Sequence, residues 1–354
     1  VNIDVDSRVR LWPRVKLSRW IVNASADLLW FDQGSIPVSR AFVAREKDAT
    51  YITAPRSGWI DYPAAEIEAN PLAFLAIKLA GRILYCLGID KTLFVGNYPV
   101  STSIWDAVQQ QEFPEICEQL AMDYPDYFIG VRNILPHRHS ELIAALEQAG
   151  LHAFPARVIY EFDFRHEDGK KYSHLQRDLN FFNKSRIRTV VSAYLSEVQT
   201  ARIQYLYNKI YLEKHSVLNP QYTLEFFSEL IQSGLMQCLL LKSEKDEIIS
   251  FALLCEQSGT LTIPALGYDD SFEKIGSYRM LFAAIHTYAK KRKMLLNYSS
   301  GAGDFKRKRG GIAYLEYTYL RRPANSGRIR NLMMQAISKK SKILQMEGLI
   351  KHGA

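Results

Sequence analysis

Apolar and polar positions along the chain switch repeatedly between two periods, and the switches mark out its elements. Apolar residues at three- and four-residue spacing predict helices over 71–87, from near 104, and over 140–150, 198–215, 223–231 and 277–293. Short apolar or alternating runs predict strands at 49–54, 92–96, 127–132, 155–164, 237–241, 248–255, 261–266, 294–298 and 312–320. In the fourth of these, Val158, Tyr160, Phe162 and Phe164 share one face. Ser101-Thr102-Ser103 offers an N-cap to the helix that follows, as Thr223 does to a later one, and Gly150 and Gly234 stand at helix C-termini.

The order changes the picture from a list to an architecture. From about 184 onward it runs helix, helix, three consecutive strands, helix, strand, loop, strand. That is an α+β pattern with a mixed sheet, unlike a repeated βαβ array. The charged, glycine-bearing run His166-Glu167-Asp168-Gly169-Lys170-Lys171 reads as a linker. The expected organisation is an N-terminal domain over 1–165, a linker over 166–183, a C-terminal domain over 184–322 and a basic helical tail over 323–354. The two halves close alike, on Tyr160-Glu161-Phe162-Asp163-Phe164-Arg165 and on Leu315-Glu316-Tyr317-Thr318-Tyr319-Leu320-Arg321, which points to a duplicated unit.

Composition narrows the class. A chain of 354 residues favours two domains, and 47% apolar with 23% charged residues excludes a disordered protein. The four cysteines, Cys86, Cys117, Cys238 and Cys255, form no C-x-x-C pair, so they read as buried free thiols in a reducing compartment, with no metal site expected. Residues 1–10 lack the apolar core of a signal peptide, and Lys78 and Arg82 interrupt the most apolar stretch, 72–89, at helical spacing. A cytoplasmic protein without a membrane span is expected.

The formal charge is +8, with cations crowded at 290–293, 306–309, 321–322 and 328–342. A basic face suits an anionic partner: a CoA ester, a nucleotide-linked lipid or glycan precursor, tRNA or a membrane surface. For 290–293 and 330–342 a solvated helix face explains the charge equally well.

Two segments carry candidate chemistry. Gly267 to Arg279 joins a strand to a helix, and Gly276 would let backbone approach a ligand at the helix N-terminus, an anion site in waiting. Asn297-Tyr298-Ser299-Ser300-Gly301-Ala302-Gly303-Asp304-Phe305 leads into Lys306-Arg307-Lys308-Arg309 between glycines. Such a loop can hold a phosphate or an oxyanion through Lys306. Neither P-loop nor Rossmann spacing is met, and no G-x-S-x-G elbow is present.

Gly267-Tyr268-Asp269, the helix from Ser277, Gly301-Ala302-Gly303 and Phe305-Lys306-x-x-x-Gly310 together resemble the C-terminal unit of CelD-like acetyltransferases. They are also similar to the FemABX-like aminoacyl-tRNA-dependent transferases, which carry a comparable F-K-x-x-[FW]-G turn. The resemblance is best over 175–322. It implies two GNAT-like halves, each a mixed, mostly antiparallel sheet flanked by helices, the first half a degenerate partner of the second. At the GNAT pyrophosphate loop, Glu273 stands where Gln or Arg is usual and Tyr278 where a small residue is usual.

The resemblance implies N-acyl transfer from an acyl-CoA or acyl carrier protein thioester, used as co-substrate with no permanently bound cofactor. The acceptor would be an amine on a small molecule or a cell-envelope precursor, which attacks the carbonyl directly. Aminoacyl transfer from charged tRNA is the alternative, and a non-catalytic ligand-binding module of the same fold a second. Asp269 is the first candidate base, followed by Glu316, His215 and Glu213. Glu316 reads equally as a salt-bridge partner, and His215 as a helix-end residue. Lys306 is the candidate oxyanion or phosphate contact. Gly276, Ser277, Tyr278 and Arg279 would bind the donor, and Tyr268, Asn297, Phe305 and His215 the substrate.

Overall fold

The structure is a computed structural model. It describes residues 16–24, 26–30, 37–41, 50–62, 64, 71–96, 98, 102–103, 105, 107–166, 172–269, 276–327 and 338. In chain order its elements are β1 (Ala26–Trp30), β2 (Pro37–Ala41), α1 (Pro71–Cys86), β3 (Thr92–Val95), α2 (Ala107–Asp123), β4 (Phe128–Ile134) and α3 (Ser140–Gln148). There follow β5 (His152–Asp163), α4 (Ser173–Lys184), β6 (Arg188–Ser192), α5 (Glu197–Asn208), α6 (Leu224–Gln232), β7 (Gln237–Lys242), β8 (Ile248–Gln257) and β9 (Thr260–Thr262). The last are β10 (Leu266–Tyr268), α7 (Ser277–Lys291), β11 (Leu295–Asn297), α8 (Gly303–Arg307) and β12 (Ile312–Arg321).

The chain forms two compact units. One comprises Val1–Arg157, Ser216–Gln221 and Leu315–Ala354; the other comprises Val158–His215 and Tyr222–Tyr314. The strands β5 and β12, whose sequences looked alike, are those in which the chain passes from one unit to the other.

In the first unit the strand order is β1-β2-β3-β4-β12, with β3 and β4 parallel and the other pairs antiparallel. Leu93, Val95, Ile129 and Val131 pack with Phe113 and Leu120 of α2 and Leu142 and Leu146 of α3. A second cluster gathers Leu84 of α1 with Ile60, Phe128 and Leu320. Asn23 ties the distant Ser216–Gln221 segment into this unit. Its amide donates to the carbonyls of Val217 and Asn219, both at 2.9 Å, and its oxygen accepts from the Gln221 N–H at 3.0 Å.

In the second unit β6, β7 and β8 are successive antiparallel neighbours, β9 pairs with β8, and β11 lies parallel to β9 and antiparallel to β5. Leu239, Leu241, Ile249, Leu254 and Leu296 form its core with Met280, Leu281, Phe282 and Ile285 of α7. Val158, Tyr160, Phe162 and Phe164 all join that core, as their shared face requires. Each unit is thus a mixed, largely antiparallel sheet with helices packed on it.

Several local expectations change. Residues 51–53 form a turn rather than a strand, because the Thr50 carbonyl accepts from Thr53 and Ala54 and is spent locally. The strand expected over 261–266 is broken. Pro264 has no N–H to give a ladder, so β9 stops at Thr262 and pairing resumes with β10. The helix over 198–215 widens into a π-helical turn at Lys209–His215. Most of the expected linker is helix: α4 buries Leu175 and Phe182 against the core of the second unit, while 167–171 lies outside the described residues. Cys86 is exposed, whereas Cys117, Cys238 and Cys255 are buried free thiols. The basic stretch 328–342, apart from residue 338, also lies outside the described residues. Among the described residues no helix is long and apolar enough to cross a membrane.

One buried group makes stability pH-dependent. His286 of α7 sits among Phe162, Phe164 and Phe282 at ring distances of 5.1, 4.4 and 5.4 Å. Burial first, then the charge of Lys290, pushes its imidazole down to about 3. The unfolded imidazole, at the ordinary 6.5, takes up a proton in a range where the folded one does not. Stability is therefore fully present above 6.5 and is lost as pH falls toward 3. The melting temperature should drop across that window, and His286→Met should flatten the dependence in thermal melts run at a series of pH values.

Candidate functional site

The site is built where two parallel strands part. Over Thr260–Thr262 and Leu295–Asn297, β9 and β11 run side by side in register. At Pro264 the chain stays with β8 but leaves β11: Leu266, Gly267 and Tyr268 of β10 pair with Ala252, Phe251 and Ser250. The C-terminal ends of the two strands are thereby freed from each other. Asp269 follows one end and Tyr298 the other.

Gly267 is required at this point. A Cβ there would lie 2.6 Å from the Leu206 carbonyl carbon and from the Phe251 ring, so only glycine lets α5 lie against β10. The N-cap of α7 is Gly276, whose φ of 69° is left-handed. The N-cap residue itself, a glycine, has no side chain to offer, and the positive end of the helix dipole lies at this point.

Asp269 is held rather than free. Its carboxylate accepts from Arg202 Nη2 at 2.6 Å, and the same guanidinium's Nε donates to the Ile248 carbonyl at 3.0 Å. The Asp269 N–H donates to the Ile249 carbonyl at 2.9 Å, which fixes the strand end.

Lys306, expected to meet an oxyanion or phosphate, instead turns inward. It is 2% exposed. Its ammonium donates to the carbonyls of Tyr298 at 2.8 Å, Ser299 at 3.2 Å and Ser300 at 2.8 Å, three acceptors for three hydrogens. It also lies over the rings of Tyr298 and Tyr160, at 5.0 and 5.5 Å. The carbonyls it gathers belong to a loop with left-handed backbone at Ser299, Gly301 and Ala302. Asn297 closes the same turn by accepting the Ser299 N–H at 2.9 Å.

The other cations of the 306–309 cluster are tied down as well. Arg307 donates to the Tyr160 hydroxyl at 3.0 Å and pairs with Asp304. Arg309 donates to Asp178 at 2.5 Å and to the Phe305 carbonyl at 2.9 Å, and lies 3.4 Å over the Phe305 ring centre. Arg279, at the start of α7, donates to the other oxygen of Asp178 at 2.7 Å. Asp178, 1% exposed, thus clamps α4, α7 and the end of α8 together, with two guanidiniums on one carboxylate. Only Lys308 of the four is exposed. The cations at 290–293 follow the solvated reading: Lys290 and Lys291 sit in the last turn of α7, where they complement the helix dipole.

Aromatic rings line the approach. Tyr278 contacts Tyr268 at 5.5 Å and Phe305 at 4.9 Å, and burial raises its phenol above the ordinary range. Ser277 is buried. Tyr298 is buried against Phe282 at 4.9 Å, and its hydroxyl has no hydrogen-bond partner among the described residues. Burial, then Tyr278 and Tyr211, holds that phenol well above its ordinary value, so it remains a proton-bearing donor.

The second unit therefore brings together Asp269, Gly276, Ser277, Tyr278, Arg279, Tyr268, Asn297, Phe305 and Lys306. Glu316 belongs to the first unit, where it accepts from Arg157 at 2.8 Å, the salt-bridge reading of that residue. Glu213 and His215 are exposed on the π-helical turn. Sequence reasoning missed Asp178, Arg202 and Tyr298. The one available signal was a lone Asp between Leu175, Leu179 and Phe182 on a short amphipathic pattern.

No family model matches the chain, and no curated protein matches it in sequence. Solved structures do match in fold. The C-terminal domain of a chain assigned as a lysylphosphatidylglycerol synthetase from Agrobacterium fabrum is 11% identical over 94% of this chain and 96% of its own, with a TM-score of 0.54. L-PGS from Bacillus licheniformis is 14% identical over 95% of both chains, with a TM-score of 0.56. FemX is 8% identical over 96% of this chain and 99% of its own, with a TM-score of 0.52. The chain shares the fold of these proteins along nearly its whole length.

Replacing Asp178 by Asn should leave two guanidiniums without their buried counter-charge and cost about 3–5 kcal/mol. Urea denaturation followed by circular dichroism would read the loss.

Proposed function

We propose that the chain is an acyl-group transferase that moves an aminoacyl group from a charged tRNA to a nucleophile on a cell-envelope precursor. The parting of β9–β10 from β11, beside the buried Tyr298, is the observation that carries this reading. It opens a gap between strand ends beside a proton-bearing phenol, a donor of the kind that an ester carbonyl needs as it becomes an oxyanion. The fold likeness to FemX and to a protein named for lysylphosphatidylglycerol, an aminoacylated lipid, supports the same chemistry. A tRNA donor would place the reaction in the cytoplasm.

In this reading the acceptor nitrogen or oxygen bonds to the carbonyl carbon. The ester C–O bond to the tRNA ribose breaks, and the proton lost by the acceptor ends on the ribose oxygen. Tyr298 donates to the carbonyl oxygen. Tyr268, Tyr278 and Phe305 pack against the aminoacyl part, and Lys306 holds the loop that carries Tyr298. Asp269, paired with Arg202, fixes the strand end and orients the guanidinium.

A thioester donor is the second reading, favoured by the left-handed glycine, Gly276, at the N-terminus of α7, where the helix dipole suits a pyrophosphate. Against it, Arg279 and Arg309 are already bound to Asp178, and Glu273 places a carboxylate in the adjoining loop sequence.

The two readings part in one assay. Label from aminoacyl-tRNA should transfer to an amine or hydroxyl acceptor and stop on ribonuclease treatment. Transfer from acyl-CoA or acyl carrier protein, insensitive to ribonuclease, would establish the second reading instead. With neither donor active, and binding alone detected, the chain would be a ligand-binding module. Within the active enzyme, Tyr298→Phe should lower kcat by about 10²-fold. The melting temperature should hold, because the lost hydroxyl has no partner to leave unpaired.

A further inference from the structure

The helix α1 is apolar on two faces, and among the described residues only one of them is packed. Leu84 points into the core beside Ile60, Phe128 and Leu320, with Ile77 packed alongside. Gly81 lies so close that a Cβ would meet Ile60 Cγ2 at 2.7 Å. At 100° per residue the opposite face carries Leu75, Leu79, Ile83 and Cys86 as a stripe. Leu75 is 67% exposed, Leu79 60% and Tyr85 62%. Cys86 is exposed too. Such a row of large apolar residues left in water needs a partner.

Charge says which partner. Lys78 and Arg82 are exposed along one border of the stripe, and the sixteen residues of α1 contain no Asp or Glu. Tyr85 stands on that same border, with an apolar ring and a polar tip suited to a water–lipid boundary. A second copy of the chain would bring like cations together across a two-fold interface. An anionic lipid surface satisfies both features at once: acyl chains accept the stripe, and headgroups accept the cations. The helix is too short and too interrupted to span, so it would lie in the plane of the interface.

We propose that the outer face of α1 is a docking surface for an anionic lipid bilayer. The inference does not rest on the reading of the transfer site and holds for any donor.

The test is flotation of the full chain with vesicles of phosphatidylcholine alone, or of three parts phosphatidylcholine to one part phosphatidylglycerol. The chain should float with the anionic vesicles and detach as salt is raised. Leu75→Gln with Leu79→Gln should abolish flotation. Lys78→Gln with Arg82→Gln should weaken it about fivefold per cation removed. All four side chains are exposed, so thermal melts should match the parent. Absence of flotation, equal flotation on both vesicle types, or variants that float like the parent would overturn the proposal. So would a dimer that the leucine variant splits while vesicles stay unbound, which would assign the face to a second copy of the chain.

Discussion

The site depends on one buried ammonium. Beyond β11 the backbone enters left-handed conformations at Ser299, Gly301 and Ala302, two of them costly for residues with a Cβ. Such a turn directs consecutive carbonyls toward one point. Lys306 offers a single point charge with three donors, and each finds a carbonyl. The three charge-assisted hydrogen bonds offset both the strain in the loop and the burial of the charge. Because the loop is fixed, Tyr298 is fixed, and so is the gap opened by Pro264.

Around this loop the second unit is braced by paired charges rather than lined with free ones. Asp178 gathers Arg279 and Arg309, Arg202 holds Asp269, and Arg307 reaches the Tyr160 hydroxyl. A basic cluster that looked like a ligand cradle is largely a framework. The Tyr298 phenol, a neutral dipole, is left without a hydrogen-bond partner among the described residues. Neutral donors suit a carbonyl that acquires charge only in the transition state. The spare charge of two guanidiniums against one carboxylate adds a milder positive field.

Much of the fold was legible because burial imposes a period. The face Val158-Tyr160-Phe162-Phe164, the cap Thr223 and the glycine stop of α3 are local signals that tertiary structure reinforced. What was not legible was set by partners distant in sequence. The short strands β1, β2 and β6 carry weak patterns and exist through their neighbours in the ladder. The helix α4 read as a linker because its surface is polar, yet its Asp178 is fixed by Arg309, 131 positions away. Residues 267–269 and 276–279 and the segment 297–309 all belong to the second unit. The inward turn of Lys306 was not legible, since a lysine between glycines looks the same in sequence whether it faces a ligand or a carbonyl. Glu316 was the clearer case, as abundant arginines made its pairing foreseeable.

The anchor at Asn23 bears on how the chain matures during translation. The first unit needs residues 216–221 for the carbonyls and N–H that Asn23 binds, and it needs the strand that ends at Arg321. The second unit is complete once Tyr314 has been made. The half that begins the chain is therefore the last to have all its parts, and its exposed strand edges must wait through most of synthesis. The later-coded unit has all its parts first and can close before the other.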